Sequence, residues 1–207
     1  MTEKLNSLLD SPCTLDKTLL REFGQLWAEA EDLWDRDQDT APFAQYVSAD
    51  YLSVYESLER LRGSANSVLE WGSGLGIVTI MASRMGFQAY GIEAEAGLIE
   101  HARKLAASYG ATARFARGSF IPDEFAGDRA DGDQANGGKV YRTVIDVVSG
   151  YGELGMDLRD FDLVYAYPWP TELPLYHNIM HQCGRPEAML LTYDARTGME
   201  LVRISGE

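Results

Sequence analysis

Hydrophobic residues in the first part of the chain recur at the spacing of an α-helix. One face of the first such segment carries Leu15, Leu19, Phe23, Leu26 and Leu33. The pattern stops at residues 39–42, resumes afterwards and ends at Gly63, a residue type that commonly follows a helix. We therefore predict helices within residues 14–62 and no strand before Ser64.

From residue 64 onward, short apolar runs alternate with helical patterns. The predicted strands cover about residues 67–71, 88–93, 112–118, 162–168 and 188–194, and the predicted helices about 76–85, 96–110 and 173–183. Strands that alternate with helices imply right-handed crossovers and a mostly parallel sheet covered on both faces. The sequence thus predicts an α/β, doubly wound fold.

The pattern also predicts how the chain is divided. Residues 1–63 are expected to form a helical extension packed on the core, and residues 64–207 the core domain. An insertion at about residues 122–158 interrupts that domain. Its first part, 122–139, is rich in Gly and Asp and is typical of a surface loop, whereas 140–148 has a strand-like pattern that would add a hairpin.

The composition is acidic. The 207 residues include 32 acidic and 18 basic side chains, a net charge of −14, which argues against a protein that neutralises nucleic-acid phosphates. The two cysteines, Cys13 and Cys183, form neither a disulfide framework nor a zinc pattern and fit a reducing compartment. Neither a signal peptide nor a membrane-spanning run is visible, so we expect a soluble, cytoplasmic protein without a membrane partner.

The stretch VLEWGSGLGIVTI, residues 68–80, places alternate glycines between a predicted strand and a predicted helix. Ligands of parallel sheets bind beyond the carboxyl ends of the strands, and glycine lets the backbone turn tightly there. The dinucleotide pattern G-x-G-x-x-G would require glycine at Ile77, but the third glycine comes one residue earlier, at Gly76. This spacing argues against a nicotinamide-dependent oxidoreductase, which stays a minor hypothesis.

Two acidic residues lie at the ends of the first two predicted strands. Glu70 precedes the glycines, where a carboxylate disfavours a pyrophosphate and favours a ligand with an ammonium or sulfonium group, such as S-adenosylmethionine. Glu93 ends the second strand, about 20 residues after the glycines, where an acid can accept hydrogen bonds from two ribose hydroxyls. The alternative is that Glu93 is an ordinary exposed acid.

At these residues the chain resembles the class I S-adenosylmethionine-dependent methyltransferases. LEWGSGLG is similar to their first motif and YGIEAE to their second, and the resemblance covers about residues 64–194. It implies a Rossmann-like sheet of the seven-strand type, with S-adenosyl-L-methionine as cofactor. The residues that it assigns to the methionine and ribose side are Glu70, Gly72, Ser73, Gly74 and Gly76, with Glu93 on the ribose hydroxyls.

The adenine contact is less well matched. Members of the family often have an acid after the third strand that meets the adenine amino group. Ser119 occupies that neighbourhood here, and Phe120 follows it. The resemblance therefore implies that Ser119 lies near the adenine edge and that Phe120 covers the adenine face.

The chain departs from the family after the fourth predicted strand. Amino-methylating members carry Asn or Asp, two prolines and an aromatic residue there, whereas this chain has Tyr167, Pro168, Trp169 and Pro170. The departure argues against transfer to an amino group through that motif. We expect Tyr165, Tyr167 and Trp169 to form an aromatic wall beside the sulfonium, with Tyr167 and Trp169 as the catalytic candidates. Packing at the strand end is the alternative, above all for Tyr165.

A second departure concerns the end of the sheet. Members usually finish with a reversed hairpin after the fifth strand, but residues 199–207 leave room for one more short strand at most. We therefore expect a sheet truncated at one edge. The aromatic residues of the N-terminal helices are interpreted mainly as packing on the sheet; they are Phe43, Tyr46, Tyr51 and Tyr55.

Few other residues suggest chemistry. His177 and His181 lie four apart on a predicted helix, but no further ligand accompanies them, so we expect no metal site. Glu172 and His177 are the nearest candidates for a general base.

The leading hypothesis is an S-adenosylmethionine-dependent methyltransferase that acts on a small-molecule or protein acceptor rather than on nucleic acid. The alternative is a non-catalytic module that keeps the fold, and with it the cofactor, as a binding or scaffold protein. The methyl acceptor, the general base and the oligomeric state do not follow from the sequence.

Overall fold

The computed structural model describes residues 2–40, 43, 46–125, 148–169 and 171–204. The strands within these ranges are β1 (Thr2–Lys4), β2 (Ser67–Trp71), β3 (Gln88–Glu93), β4 (Arg114–Arg117), β5 (Leu163–Ala166), β6 (Met189–Asp194) and β7 (Gly198–Ile204). The helices are α1 (Asn6–Leu9), α2 (Lys17–Asp37), α3 (Tyr51–Leu61), α4 (Ile77–Arg84), α5 (Ala96–Ser108), α6 (Tyr151–Leu154) and α7 (Leu173–Cys183).

The strands that the structure describes form one seven-stranded sheet in the order β1-β7-β6-β5-β2-β3-β4. Strands β2 to β6 run parallel to one another, and β7 runs antiparallel to β6. The predicted α/β fold with a Rossmann-like, mostly parallel sheet is confirmed. The strand order reverses beside β2, so the turn after β2 lies at the switch point where such sheets bind ligands.

The edge beyond β6 differs from the prediction. β7 follows β6 directly as an antiparallel partner, and β1 then pairs antiparallel with β7, Thr2 opposite Ile204 and Lys4 opposite Val202. The expectation of a truncated sheet is therefore wrong, and so is the expectation of no strand before Ser64. A three-residue strand has no readable periodicity, and its pairing partner lies at the other end of the chain.

The N-terminal helices α2 and α3 begin at side-chain caps. The Asp16 carboxylate accepts hydrogen bonds from the backbone N–H groups of Thr18 and Leu19 at the start of α2, which satisfies donors that have no partner within the helix. Tyr55 of α3 is fully buried, with its ring edge-on to Phe23 at 4.9 Å. Both helices contact α4. The division of the chain at residue 63 stays a prediction.

Two hydrophobic layers enclose the sheet. In one layer, helices α2, α3, α4 and α5 pack on one face of the sheet; this layer includes Val68 and Tyr165. The other joins α6 and α7 to the opposite face and includes Leu69 and Trp71. Neighbouring residues of β2 thus face opposite layers, which explains why the whole strand is buried and reads as a continuous apolar run around Glu70.

The insertion is only partly described. The predicted hairpin at 140–148 lies outside the described residues apart from Val148, as does the loop from 126 onward. The described end of the insertion forms α6, and Ser149 makes an isolated bridge to Ser119 after β4. Within the described ranges, no helix combines the length and apolar character needed to cross a membrane.

Candidate functional site

The turn between β2 and α4 depends on glycine at three positions. Gly72, Gly74 and Gly76 have φ of 67°, 53° and 71°, in the left-handed region that side chains disfavour. At Gly76 a Cβ atom would also lie 2.5 Å from the ring of Phe115. The alternate spacing seen in the sequence therefore follows from the backbone path and, at Gly76, from helix packing.

Glu93 ties this turn to the end of β3. Its Oε2 accepts a hydrogen bond of 2.8 Å from the backbone N–H of Gly74, and its Oε1 accepts one of 2.9 Å from the N–H of Glu95. The N–H of Ser73 donates to the carbonyl of Ile92 at 3.0 Å. Burial raises the pKa of Glu93, and the backbone hydrogen bonds oppose that shift. The carboxylate is thus held where the carboxyl ends of the parallel strands β2 and β3 meet.

A cavity of about 420 Å³ opens in front of this turn, within the range typical of small-molecule sites. The predicted cofactor residues that line it are Glu70, Gly72, Ser73, Gly74, Glu93, Ser119, Phe120 and Tyr165. The catalytic candidates Tyr167 and Trp169 line it as well. Gly76 lies behind the turn, against Phe115, and does not line the cavity.

Glu70 is buried, and helix α4 holds it. Its Oε2 accepts hydrogen bonds from the backbone N–H of Thr79 at 2.9 Å and from the Thr79 hydroxyl at 2.6 Å. Burial raises the pKa of Glu70 to about 8. The sequence suggested a full negative charge at the mouth of the strand, but this carboxyl is largely protonated at neutral pH. A cationic ligand beside it would favour its ionised form.

Two hydroxyl groups on the cavity wall have no hydrogen-bond partner in the structure. They belong to Ser73, on the glycine turn, and Tyr165, on β5 beside Glu70. Their side chains are 4% and 2% exposed. A buried hydroxyl without a partner costs roughly 1–3 kcal/mol, so a ligand with polar groups at these two positions would be stabilised.

The predicted adenine contacts are arranged differently from the expectation. The Ser119 hydroxyl accepts a hydrogen bond of 3.2 Å from the N–H of Ile121. Phe120 is stacked on Trp71 with ring centroids 4.9 Å apart, and Tyr176 packs against both rings. Most of Phe120 is therefore part of the buried layer, and only a small part reaches the cavity. Trp71 and Tyr176 line the cavity too, although neither was singled out in the sequence.

The loop after β5 supplies the aromatic wall. Tyr167 and Trp169 are half-buried, and the ring of Tyr167 meets that of Tyr193 edge-on at 5.1 Å. Asp194, at the end of β6, also lines this side of the cavity. Pro170 lies outside the described residues. The sequence analysis missed Asp194 because only the parallel pairing of β5 with β6 brings it beside this loop.

The N-terminal segment contributes more than packing. Tyr46 and Tyr51 line the cavity, and their hydroxyl oxygens are 2.6 Å apart in a hydrogen bond. The Tyr46 ring lies over Gly74, where a Cβ atom would come within 2.7 Å of it. The packing interpretation holds for Tyr55, and Tyr46 and Tyr51 both pack against the core and line the cavity.

The candidate bases and metal ligands do not reach the cavity. Glu172 is 3% exposed, at the start of α7, and neither it nor His177 lines the cavity. Burial lowers the pKa of His177. Across the described part of the chain, no group of three or more His, Cys, Asp or Glu side chains could hold a metal ion.

Comparisons with known proteins bear on the fold. Neither a family model nor a curated protein matches the sequence. The structure is similar to an RNA methyltransferase from Salinibacter ruber in complex with S-adenosyl-L-homocysteine, with 15% identity and a TM-score of 0.53 over 78% of this chain and 95% of that one. It is also similar to a methyltransferase from Geobacter sulfurreducens, with 14% identity and a TM-score of 0.50 over 96% of each chain.

At this level of identity the likeness concerns the arrangement of the chain, and it agrees with the switch-point cavity and the glycine turn. The chain has the fold of the class I S-adenosylmethionine-dependent methyltransferases.

Proposed function

We propose that this protein is an S-adenosylmethionine-dependent methyltransferase that acts on a small-molecule or protein acceptor. The observation that carries the proposal is the Glu93 carboxylate, held 2.8 Å from the Gly74 N–H at the rim of the cavity. An acid in this position at the end of the second parallel strand can accept hydrogen bonds from both hydroxyls of a ribose.

The rest of the cavity fits the same cofactor. The Ser73 and Tyr165 hydroxyls are buried without a partner and offer donors for the cofactor's polar groups. Gly72 has open space where a Cβ atom would be, so a ligand can approach the backbone closely there. Among the described residues that line the cavity there is no Lys or Arg, which disfavours a pyrophosphate and therefore a dinucleotide.

When bound, S-adenosylmethionine supplies a methyl group on a positively charged sulfur. The chain's own residues would then orient the reacting groups and shield them from water. The rings of Tyr165 and Tyr167 offer faces that attract a cation, and Tyr46 covers the glycine turn from the solvent side. Orientation and exclusion of water are the main contributions that a direct displacement requires of a protein.

A binding test with nucleotide controls separates the hypotheses. We would titrate the protein calorimetrically with S-adenosylmethionine, S-adenosylhomocysteine and NAD, and repeat the titrations with Glu93→Ala and with Glu100→Gln. Glu100 is an exposed acid on α5 outside the cavity. We expect the first two ligands to bind, NAD to fail, Glu93→Ala to weaken binding at least tenfold and the control to bind as the unaltered protein does.

Failure of both adenosyl ligands to bind would overturn the proposal. Binding without methyl transfer to any acceptor of a broad small-molecule and protein screen would favour the alternative, a non-catalytic module. That alternative draws on Tyr167, which stands where amino-methylating relatives have Asn or Asp.

A further inference from the structure

The cavity wall is charged with one sign only. The acids that line it are Glu93, Glu95 and Asp194, together with Glu70, which is largely protonated at neutral pH, and the described lining residues include no Lys, Arg or His. Glu93 and Glu95 belong to the glycine-turn side, where the proposed function places the ribose. Asp194 is the acid at the opposite side, beside the loop after β5. An anionic acceptor would be repelled at both ends of such a cavity.

Asp194 is held in a defined position. Its Oδ1 accepts hydrogen bonds from the N–H groups of Arg196 at 2.7 Å and Thr197 at 3.0 Å. These bonds lower its pKa, so the side chain is anionic at neutral pH. Burial raises the pKa of Tyr167, and the nearby Tyr193 and Asp194 add to the shift. The ring of Tyr167 contacts that of Tyr193, the residue before Asp194, so the exposed carboxylate lies next to the aromatic loop.

A second polar group belongs to the same cavity wall. Tyr165 lines the cavity, and its buried hydroxyl has no hydrogen-bond partner among the described residues. Burial raises its pKa well above the usual value, and Glu70 and Tyr167 add to the shift, so this hydroxyl keeps its proton. Tyr165 lies opposite Glu70 of β2 in the sheet and two residues before Tyr167 of the aromatic loop.

We propose that the methyl acceptor is a small amine with an apolar or aromatic body, bound between Tyr165, Tyr167 and Asp194. The inference rests on the proposed function and specifies the acceptor for it. The body would lie against the rings of Tyr167 and Trp169, and the nitrogen would face the Tyr165 hydroxyl and the Asp194 carboxylate. Asp194 thereby supplies, from the neighbouring strand, the acid that the loop after β5 lacks.

The charge balance of the reaction favours an amine. The bound ammonium first releases one proton to water, which frees the nitrogen lone pair. This lone pair forms the new N–CH₃ bond while the S–CH₃ bond breaks, and the electron pair of the broken bond stays on sulfur as a neutral thioether. Positive charge thus moves from sulfur to nitrogen, towards Asp194 and the aromatic faces, which stabilise it. The product leaves as the methylated ammonium ion. An oxygen acceptor that reacts as an alkoxide or a carboxylate would bring a negative charge next to these acids.

The same charges argue against a nucleic-acid acceptor. Phosphate groups are bound by clusters of Lys and Arg, and none lies among the described lining residues. The cavity is also at the small end of the range for ligand sites, so little space would remain beside the cofactor. A small amine fits both constraints.

The experiment compares acceptors that differ only in their polar group. The protein saturated with S-adenosylhomocysteine would be titrated with phenethylamine, phenethyl alcohol and phenylacetate, and with cyclohexylamine, cyclohexanol and cyclohexanecarboxylate. Binding would be followed by calorimetry and by the shift in melting temperature. Transfer of labelled methyl from S-adenosylmethionine would be measured in parallel, with a lysine-containing peptide and a short RNA included. We expect both amines to bind more tightly than their alcohols, and the carboxylates to bind least.

Variants localise the effect. Asp194→Asn keeps an oxygen for the N–H groups of Arg196 and Thr197 but removes the charge, and we expect amine affinity to fall about three- to tenfold with S-adenosylhomocysteine affinity unchanged. Tyr167→Leu should lower the affinity for amines about two- to fivefold and the affinity for the alcohols less. Asp35→Asn, an exposed acid on α2 outside the cavity, is the matched control and should change neither.

The outcomes distinguish the two proposals. If S-adenosylhomocysteine binds but carboxylates, RNA or the peptide equal or surpass the amines, or if no amine binds, the assignment of the acceptor is wrong and the proposed function stands. If amines bind and Asp194→Asn does not weaken them, the assignment is equally wrong. If S-adenosylhomocysteine does not bind, both proposals fall.

Discussion

The Glu93 carboxylate and the backbone N–H of Gly74 are joined by a hydrogen bond of 2.8 Å that connects the end of β3 to the turn after β2. The same carboxylate accepts the N–H of Glu95 with its other oxygen. One side chain therefore organises two adjacent loops before any ligand binds. The group proposed to hold the ribose is also a structural support for the site.

Glu93→Ala is expected to lower the free energy of unfolding by roughly 1–3 kcal/mol without ligand, because two backbone donors lose their acceptor. Glu93→Gln should lose less, since the amide oxygen still accepts one of these bonds. Chemical denaturation of the ligand-free protein measures both. Glu95→Ala is the control: its side chain makes no cap at the start of α5, and a loss comparable to that of Glu93→Ala would contradict the account.

Glu70 makes stability depend on pH. Its pKa rises from the ordinary 4.5 to about 8 through burial, so the folded protein binds this proton more tightly than the unfolded chain does. Stability contributed by the protonated group is therefore complete below about pH 4.5 and falls as the pH rises towards 8, at up to ~1.4 kcal/mol per pH unit. Glu70→Gln, whose amide oxygen can still accept from Thr79, should remove this slope.

We expect the free energy of unfolding of Glu70→Gln, relative to that of the unaltered protein, to rise by at least about 1 kcal/mol between about pH 5 and pH 8. Urea denaturation at each pH measures it. Glu100→Gln, at an exposed position, corrects for general charge effects. Parallel pH profiles for Glu70→Gln and the unaltered protein would show that the carboxyl titrates normally in the fold.

Local patterns made the centre of the site predictable. The alternate glycines and the position of Glu93 follow from a strand, a turn and a second strand that are close in sequence. In a parallel sheet the carboxyl ends of such strands meet at one edge. The structure places Glu93 and Gly74 in direct contact there, whereas their roles towards a cofactor stay a prediction.

Features that depend on distant contacts were not predictable in the same way. Glu70 was interpreted as a charged carboxylate at the end of the first strand, because its burial and its bonds to Thr79 require the packing of α4 on β2. Tyr46 and Asp194 reach the cavity only through the path of the N-terminal segment and the pairing of β5 with β6. Strand β1 pairs with residues about 200 positions away, beyond any local pattern.

Gly74 and Tyr46 should be energetically coupled. Alanine at Gly74 must adopt a φ near +53° and place its Cβ within 2.7 Å of the Tyr46 ring. Gly72 provides a matched control, because its φ of 67° imposes similar backbone strain while no atom lies within 4 Å of the added Cβ. We expect Gly72→Ala to lower the free energy of unfolding by about 1–2 kcal/mol, and Gly74→Ala to lower it by about 1 kcal/mol more.

In a Tyr46→Ala background, Gly74→Ala should cost no more than Gly72→Ala, and the double-mutant cycle measures the difference. The same cycle with S-adenosylhomocysteine present would report whether Tyr46 covers the bound ligand. Equal costs of Gly74→Ala with and without the Tyr46 ring would mean that the ring moves aside freely.

The attachment of β1 offers the last prediction. The Asn6 side-chain oxygen accepts a hydrogen bond of 2.9 Å from the N–H of Leu201, and the N–H of Leu5 donates to the Leu201 carbonyl at 2.9 Å. Asn6→Ala removes the acceptor of the Leu201 N–H, and the side chain of Leu201 is fully buried. We expect a loss of about 1–2 kcal/mol and faster hydrogen exchange at both amides.

Asn6→Asp keeps an acceptor oxygen and should retain most of the stability, whereas Ser7→Ala, at a neighbouring exposed position, should change neither quantity. Exchange rates at amides of β2 and β3 serve as an internal reference, since those strands lie towards the opposite edge of the sheet. Faster exchange confined to β1 and β7 would mean that the N-terminal strand opens separately from the parallel core. Unchanged exchange at Leu201 in Asn6→Ala would mean that the strand pairing alone, without the side-chain bond, holds this edge closed.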